Sequence, residues 1–230
     1  MAGTLRRDSI VAACVELIEG EGIDALTMRR LGAILGVDAT AVYRHFRDKD
    51  DLLRAVGDQA HALVLAGVPA VDDGFLQPQQ EGGAGEWRPV VRELCIRLRA
   101  AQLARPVLAA LVRAGPPLHD HEFALTETLL TQLHRAGLDG EAAAFAYHGL
   151  IELVVGSAAI DAPLAATPPG DREATYASWR RAYAVLDARL YPTAVAFAGQ
   201  LYPSSADGRF AYALDRLLDG IAGTIPVELV

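Results

Sequence analysis

Residues 27–49, TMRRLGAILGVDATAVYRHFRDK, hold the side chains best suited to a nucleic-acid surface. Arg29, Arg30, Arg44, Arg47 and Lys49 are opposed there only by Asp38 and Asp48. An arginine can give two parallel hydrogen bonds to a guanine edge. Thr27, Thr40, Tyr43, His45 and Lys49 can bind phosphate oxygens and set the register on a duplex. The whole chain of 230 residues carries a formal charge of −8, and residues 61–230 have thirteen basic against nineteen acidic side chains. A small basic stretch thus sits on an acidic body.

Other polar groups call for different chemistry. His119, His121 and Glu122 lie together in HDHE. A metal needs about four placed ligands, or three and an open position, so a solvated helix start explains this run better and no metal is expected. His148 and Glu152 are four apart and share a helical face. They read either as a polar handle in a ligand pocket or as an interface or core pair. Trp87, Tyr147 and Trp179 can line an apolar pocket or simply fill a core. Arg113, His119, Tyr147, His148, Glu152 and Trp179, with His61, are the candidate ligand-binding residues. Cys14 and Cys95 read as packed thiols. The chain contains no phosphate-binding Walker loop, nucleophile elbow, HExxH or dinucleotide fingerprint, so no catalytic residue and no cofactor is expected.

The elements that must position these groups are helices. Ile10, Cys14, Leu17 and Ile18 form one apolar stripe over residues 8–20. Thr27 can cap a second helix, Met28 to Leu35, which Gly36 stops. Asp38 can cap a third, Ala39 to Phe46, and Asp48 a fourth, Lys49 to about Val68. With Val42 and Phe46 turned inward, the second and third helices make a helix-turn-helix. Residues 69–86, rich in Gly, Pro and Gln, read as a loop or linker. Helices then run over Trp87–Ala104, from Pro106, over 118–136 and over 139–160. A second loop is expected at 161–171, followed by helices near 172–187, 192–201 and 205–224. The fold is all-α. An amino-terminal helix-turn-helix domain, 1–50, precedes a larger helical effector-binding and dimerisation domain, 51–230. No run reaches the roughly 18 consecutive apolar residues of a membrane span, so no membrane is expected and the location is expected to be cytoplasmic.

The stretch Leu26 to Leu53, LTMRRLGAILGVDATAVYRHFRDKDDLL, resembles the DNA-binding domain of the tetracycline-repressor (TetR) family of transcriptional regulators. The spacing from Thr27 through Gly36-Val37 to Tyr43, His45-Phe46, Lys49 and Leu52-Leu53 carries the resemblance. It implies that Arg29 makes a base or phosphate contact. Ala39, Thr40 and Arg44 match groove-facing positions of the recognition helix, and Tyr43, His45 and Lys49 match phosphate-contacting ones. Ala39 and Ala41 are small where some members carry polar readers, and offer only an apolar contact such as a thymine methyl. His134 to Ala162 resembles, more loosely, the penultimate long helix of the tetracycline-repressor class, which joins the last helix in a dimeric four-helix bundle. That class holds a magnesium–drug chelate through a histidine and acidic side chains. The corresponding places here fall near Val112 and Ile160, which cannot ligate a metal.

The expected function is a DNA-binding transcriptional regulator, a ligand-released repressor that binds a palindromic double-stranded operator as a homodimer. The expected effector is a small, largely apolar molecule, neutral or cationic because the body is acidic. A small all-α enzyme, or a structural dimer without DNA binding, is the alternative.

Overall fold

The computed structural model describes residues 5–66, 87–113, 118–203 and 205–225. Every regular element among them is helical. The expected loop at 69–86 and the break at 114–117 lie outside the described residues, as does the Arg113 side chain.

Four helices and a 3-10 turn build the amino-terminal head: α1 (Arg7–Glu21), the turn Ile23–Ala25, α2 (Met28–Ile34), α3 (Ala39–Tyr43) and the first half of α4 (Lys49–Leu65). The stripe of α1 is fully sunk, with Ile10, Cys14 and Ile18 at 0% exposure. It meets Leu26, Leu31, Val42, Phe46, Leu52, Ala55 and Val56 in one core. Each fully buried side chain of this size contributes about 1.5–3 kcal/mol.

The body follows as α5 (Trp87–Ala104), α6 (Pro106–Arg113), α7 (Asp120–Arg135), α8 (Gly140–Ala165), α9 (Pro169–Ala184), α10 (Pro192–Ala196) and α11 (Ala206–Thr224). Its core joins Val91, Leu94, Cys95 and Leu98 of α5 to Leu129 and Leu133 of α7, Leu150 and Val154 of α8, and Leu214 and Leu218 of α11.

The two cores interlock. Val64 of α4 belongs to the body core, whereas Leu52, Ala55 and Val56 of the same helix belong to the head. A boundary drawn after residue 50 therefore cuts between α4 and the core that its first half completes. In return, Leu108 of α6 is completely buried in the head core.

Several expected boundaries move. The third helix ends at Tyr43 instead of Phe46. Its end is tightened because both His45 and Phe46 donate their N–H to the Val42 carbonyl. The loop expected at 161–171 is largely helix: α8 continues to Ala165 with Pro163 inside it, and α9 begins at Pro169. Asp161 explains the continuation. It is buried on α8 and receives Arg99 of α5 at 2.6 Å and Arg209 of α11 at 2.7 Å. Proline at the first position of α9 gives up an N–H that has no helical partner there. The helix expected at 192–201 is only Pro192–Ala196.

By length and composition α8 is long and apolar enough to cross a membrane. It instead packs on α5, α7 and α11. Its outward side chains include Phe145 at 67% and Ile160 at 78% exposure.

Candidate nucleic-acid interface

Three side-chain caps assemble the head. Thr27 Oγ1 accepts the Arg30 N–H at 3.1 Å, Asp38 Oδ1 accepts that of Thr40 at 2.8 Å, and Asp48 Oδ1 accepts that of Asp51 at 2.7 Å. Each satisfies an N–H that the helix itself leaves orphaned. These bonds hold the Asp38 and Asp48 carboxyls below the usual carboxylate range.

Between α2 and α3 the chain turns at Gly36, whose φ of +69° lies in the left-handed region. Gly36 donates to the Ala33 carbonyl at 3.2 Å and Val37 to that of Gly32 at 2.9 Å, the paired bonds of a Schellman ending. Gly32 must be small for another reason. A Cβ there would lie 2.9 Å from the Val37 oxygen and 3.2 Å from the Ala39 nitrogen. The two helices cross at this contact. Their inner side is sealed by Leu31, Val42 and Phe46, all at most 1% exposed.

The remaining side chains face outward. Thr27, Arg29, Thr40, Tyr43 and Arg44 are exposed, while Ala39, His45 and Lys49 are half-buried. The five cations of this stretch are not equivalent. Arg30 is bound to Glu21 at 2.6 Å, and Arg47 Nε to Asp48 at 2.9 Å. Among the described residues Arg29, Arg44 and Lys49 form no ion pair. The free positive charge therefore lies at the start of α2, the end of α3 and the start of α4. Arg7, which the sequence reading passed over, donates to the His45 carbonyl at 2.7 Å and covers the Phe46 ring at 4.1 Å. A guanidinium on a carbonyl at a helix end also suits the negative pole of the helix dipole.

The candidate ligand residues divide. His61 of α4 is 4% exposed and its Nδ1 has no hydrogen-bond partner. Burial pushes its pKa below the ordinary histidine value of 6.5. The Tyr147 hydroxyl lies 2.9 Å from Thr126 Oγ1, which donates to Glu122 at 3.0 Å. Burial raises the Tyr147 pKa. His148 and Glu152 are exposed on α8. Trp179 meets Tyr176 and Tyr202 edge-on, whereas the Tyr147 ring meets His148, so the two aromatics belong to different clusters. His119 precedes α7 and stands 3.9 Å from Asp51. Sequence reading passed over Gln102 and Thr131 and took Glu122 only as part of a solvated helix start; their Oε1, Oγ1 and Oε2 atoms are buried without partners. A signal existed for Gln102. It continues the apolar stripe Val91, Leu94, Cys95, Leu98 of α5, where a polar residue is out of place.

Similarity to known proteins agrees with this architecture. The sequence model "Bacterial regulatory proteins, tetR family" matches residues 10–56, and "Tetracyclin repressor-like, C-terminal domain" matches residues 77–225. An HTH-type transcriptional repressor of Mycobacterium tuberculosis is 31% identical over 163 residues, 69% of this chain; the chain spans 58% of that relative's length. The repressor DrrR1 of Streptomyces coeruleorubidus is 26% identical over 224 residues, covering 95% of this chain and 77% of DrrR1. The crystal structure of apo ActR from Streptomyces coelicolor superposes with a TM-score of 0.78 at 27% identity, covering 96% of each chain. ActR in complex with actinorhodin gives the same score and identity over 97% of this chain and 99% of ActR. Matched in both its head and its body, the chain belongs to the tetR family of bacterial regulatory proteins.

Proposed function

We propose that the protein is a ligand-released transcriptional repressor that binds a palindromic operator as a homodimer. The observation that carries the reading is the division of charge in the head. Arg30 and Arg47 are neutralised within the chain, while Arg29, Arg44 and Lys49 are left for DNA. In this reading Arg44 and Arg29 read base edges, Ala39 and Thr40 face the groove, and Thr27, Tyr43, His45 and Lys49 hold phosphates. The protein acts in the cytoplasm, where its operator lies, as a regulator rather than an enzyme.

Dimerisation through α8 and α11 is supported by Phe145, Ile160 and Tyr212, which stand 67%, 78% and 70% exposed on those helices. A two-fold axis uses the same patch on both subunits. It would set two recognition helices about 34 Å, or a multiple of that, apart on DNA.

The effector enters the body among α4, α5, α7 and α8. ActR, similar along its whole length, has been crystallised with actinorhodin. His61, Gln102, Glu122, Thr131 and Tyr147 are the groups that would orient it here. Gln102 Oε1 and Glu122 Oε2 are unpartnered acceptors, which favours a largely apolar ligand bearing hydrogen-bond donors.

The test is titration of a duplex selected from a random pool by the wild-type protein. Arg44→Ala should cost about 1–3 kcal/mol and relax specificity at one position. Lys49→Ala should weaken all duplexes and lower the salt slope by about one. Arg30→Ala and Arg47→Ala should do less than either. Equal losses in all four variants would remove the charge argument. An inducer must bind operator-loaded protein more weakly by the same factor that it weakens operator binding.

A further inference from the structure

α7 begins without a cap of its own: His119, at the N-cap position, gives no side-chain hydrogen bond to the helix. The cap comes from another helix. Asp58 of α4 accepts the Glu122 N–H at 2.8 Å through Oδ1 and the His121 N–H at 3.3 Å through Oδ2. The same Oδ2 lies 2.7 Å from His121 Nδ1. A carboxylate can only accept, so that ring nitrogen carries a proton. Asp58 is 6% exposed, and its charge is matched by the positive pole of α7 and by the His121 ring. His61 Nδ1 stands 4.0 Å away and adds no bond.

The position of this cap along α4 matters. Val56 still belongs to the core of the head, and Val64 already belongs to the core of the body. Asp58 lies between them, where the helix passes from one core to the other. One further tie, His119 to Asp51 at 3.9 Å, lies nearer the head. Turning α4 against α7 strips a buried carboxylate of its donors and uncovers two helix N–H groups at once. Leaving those buried groups unpaired is costly, so the joint favours the one angle that keeps them bonded.

We propose that Asp58 is a positioning residue for DNA recognition: by capping α7 from within α4, its carboxylate fixes the angle of the head and hence the half-site spacing that the dimer accepts. The proposal rests on the reading of the protein as a dimeric operator-binding regulator. Asp58 touches no DNA, so it acts on spacing and not on base preference.

The experiment uses the full-length protein and a duplex selected from a random pool by the wild type, then the same duplex with its centre lengthened or shortened by one and two base pairs. Removing a cap of this kind shifts a conformational equilibrium by about two- to thirty-fold. Wild type should prefer one spacing by about tenfold or more, and Asp58→Ala should compress that preference to about threefold or less. Asp58→Asn, which keeps the shape but can accept at only one atom, should fall between. His121→Ala should weaken the preference less than Asp58→Ala. Arg44→Ala should lower binding to every spacing by the same factor and leave the preference intact. A folded Asp58→Ala protein with the wild-type spacing preference overturns the proposal. If Asp58→Ala does not fold, unchanged preference in both Asp58→Asn and His121→Ala overturns it instead. A wild-type protein that selects no two-half-site duplex overturns the regulator reading itself, and the proposal falls with it.

Discussion

Replacing Gly32 by alanine sets two effects of known sign against each other. In the middle of α2, alanine in place of glycine gains about 1 kcal/mol of helix propensity. The new Cβ, however, meets the Val37 oxygen at 2.9 Å, the Ala39 nitrogen at 3.2 Å and the Ala39 Cα at 3.3 Å. All three atoms are backbone, so no side chain can rotate away, and the turn itself must shift. Overpacking of this kind costs about 1–3 kcal/mol, with rigid neighbours at the upper end. The net result is a loss of about 1–2 kcal/mol, or a melting temperature lower by about 2–8 °C for a chain of this size. Operator affinity should fall further than stability, because the atoms that move lie in the turn and first residue of the recognition helix. Gly36→Ala is the control. Its position has nothing within 4 Å but a φ of +69°, so it should lose about 1–2 kcal/mol from strain and bind DNA normally once folded. Thermal unfolding and a duplex titration on both variants read the difference. A Gly32→Ala protein that melts at or above the wild-type temperature and binds unchanged would refute the reasoning.

Three more outcomes follow from which side chains are buried and which stand exposed. Cys14 and Cys95 have thiols that burial pushes up to about 12; neither should react with iodoacetamide at pH 8 until the chain unfolds. His61 titrates lower in the folded chain than its ordinary 6.5. The unfolded chain then binds more protons below pH 6.5, so stability present above that pH is lost as the pH falls toward the folded value. His61→Gln should flatten the unfolding free energy in that window, while the carboxylates Asp38 and Asp48 act only below their ordinary 3.8. Finally, Phe145→Glu with Ile160→Glu should give a monomeric mass at micromolar concentration with helicity unchanged; a dimeric mass would place the subunit contact elsewhere.

Legibility in the sequence followed distance along the chain. Thr27, Asp38 and Asp48 bond N–H groups two or three residues away, and Gly36 bonds within its own turn. Such local chemistry can be read directly, and the stripe around Cys14 follows from spacing alone. Asp58 caps a helix more than sixty residues later, and nothing near it announces a cap. Asp161 stands two residues before Pro163 and looks like a loop residue until Arg99 and Arg209 are brought to it from α5 and α11. Arg30 and Arg47 resemble Arg29 and Arg44 in sequence; only Glu21 and Asp48, as placed, separate the neutralised cations from the free ones.

Leu108 has a consequence for the order in which the protein matures. It completes the head core from α6, well beyond the last head residue. Leaving its place empty removes about 2–5 kcal/mol from a total of about 5–15 kcal/mol. A ribosome adding about 5–20 residues each second needs roughly 3–10 s to pass from the end of the head to this leucine. During that interval the nascent head carries an open apolar socket. A chain cut short before residue 108 keeps the socket open, so a prematurely terminated product carries a head weakened by about that amount.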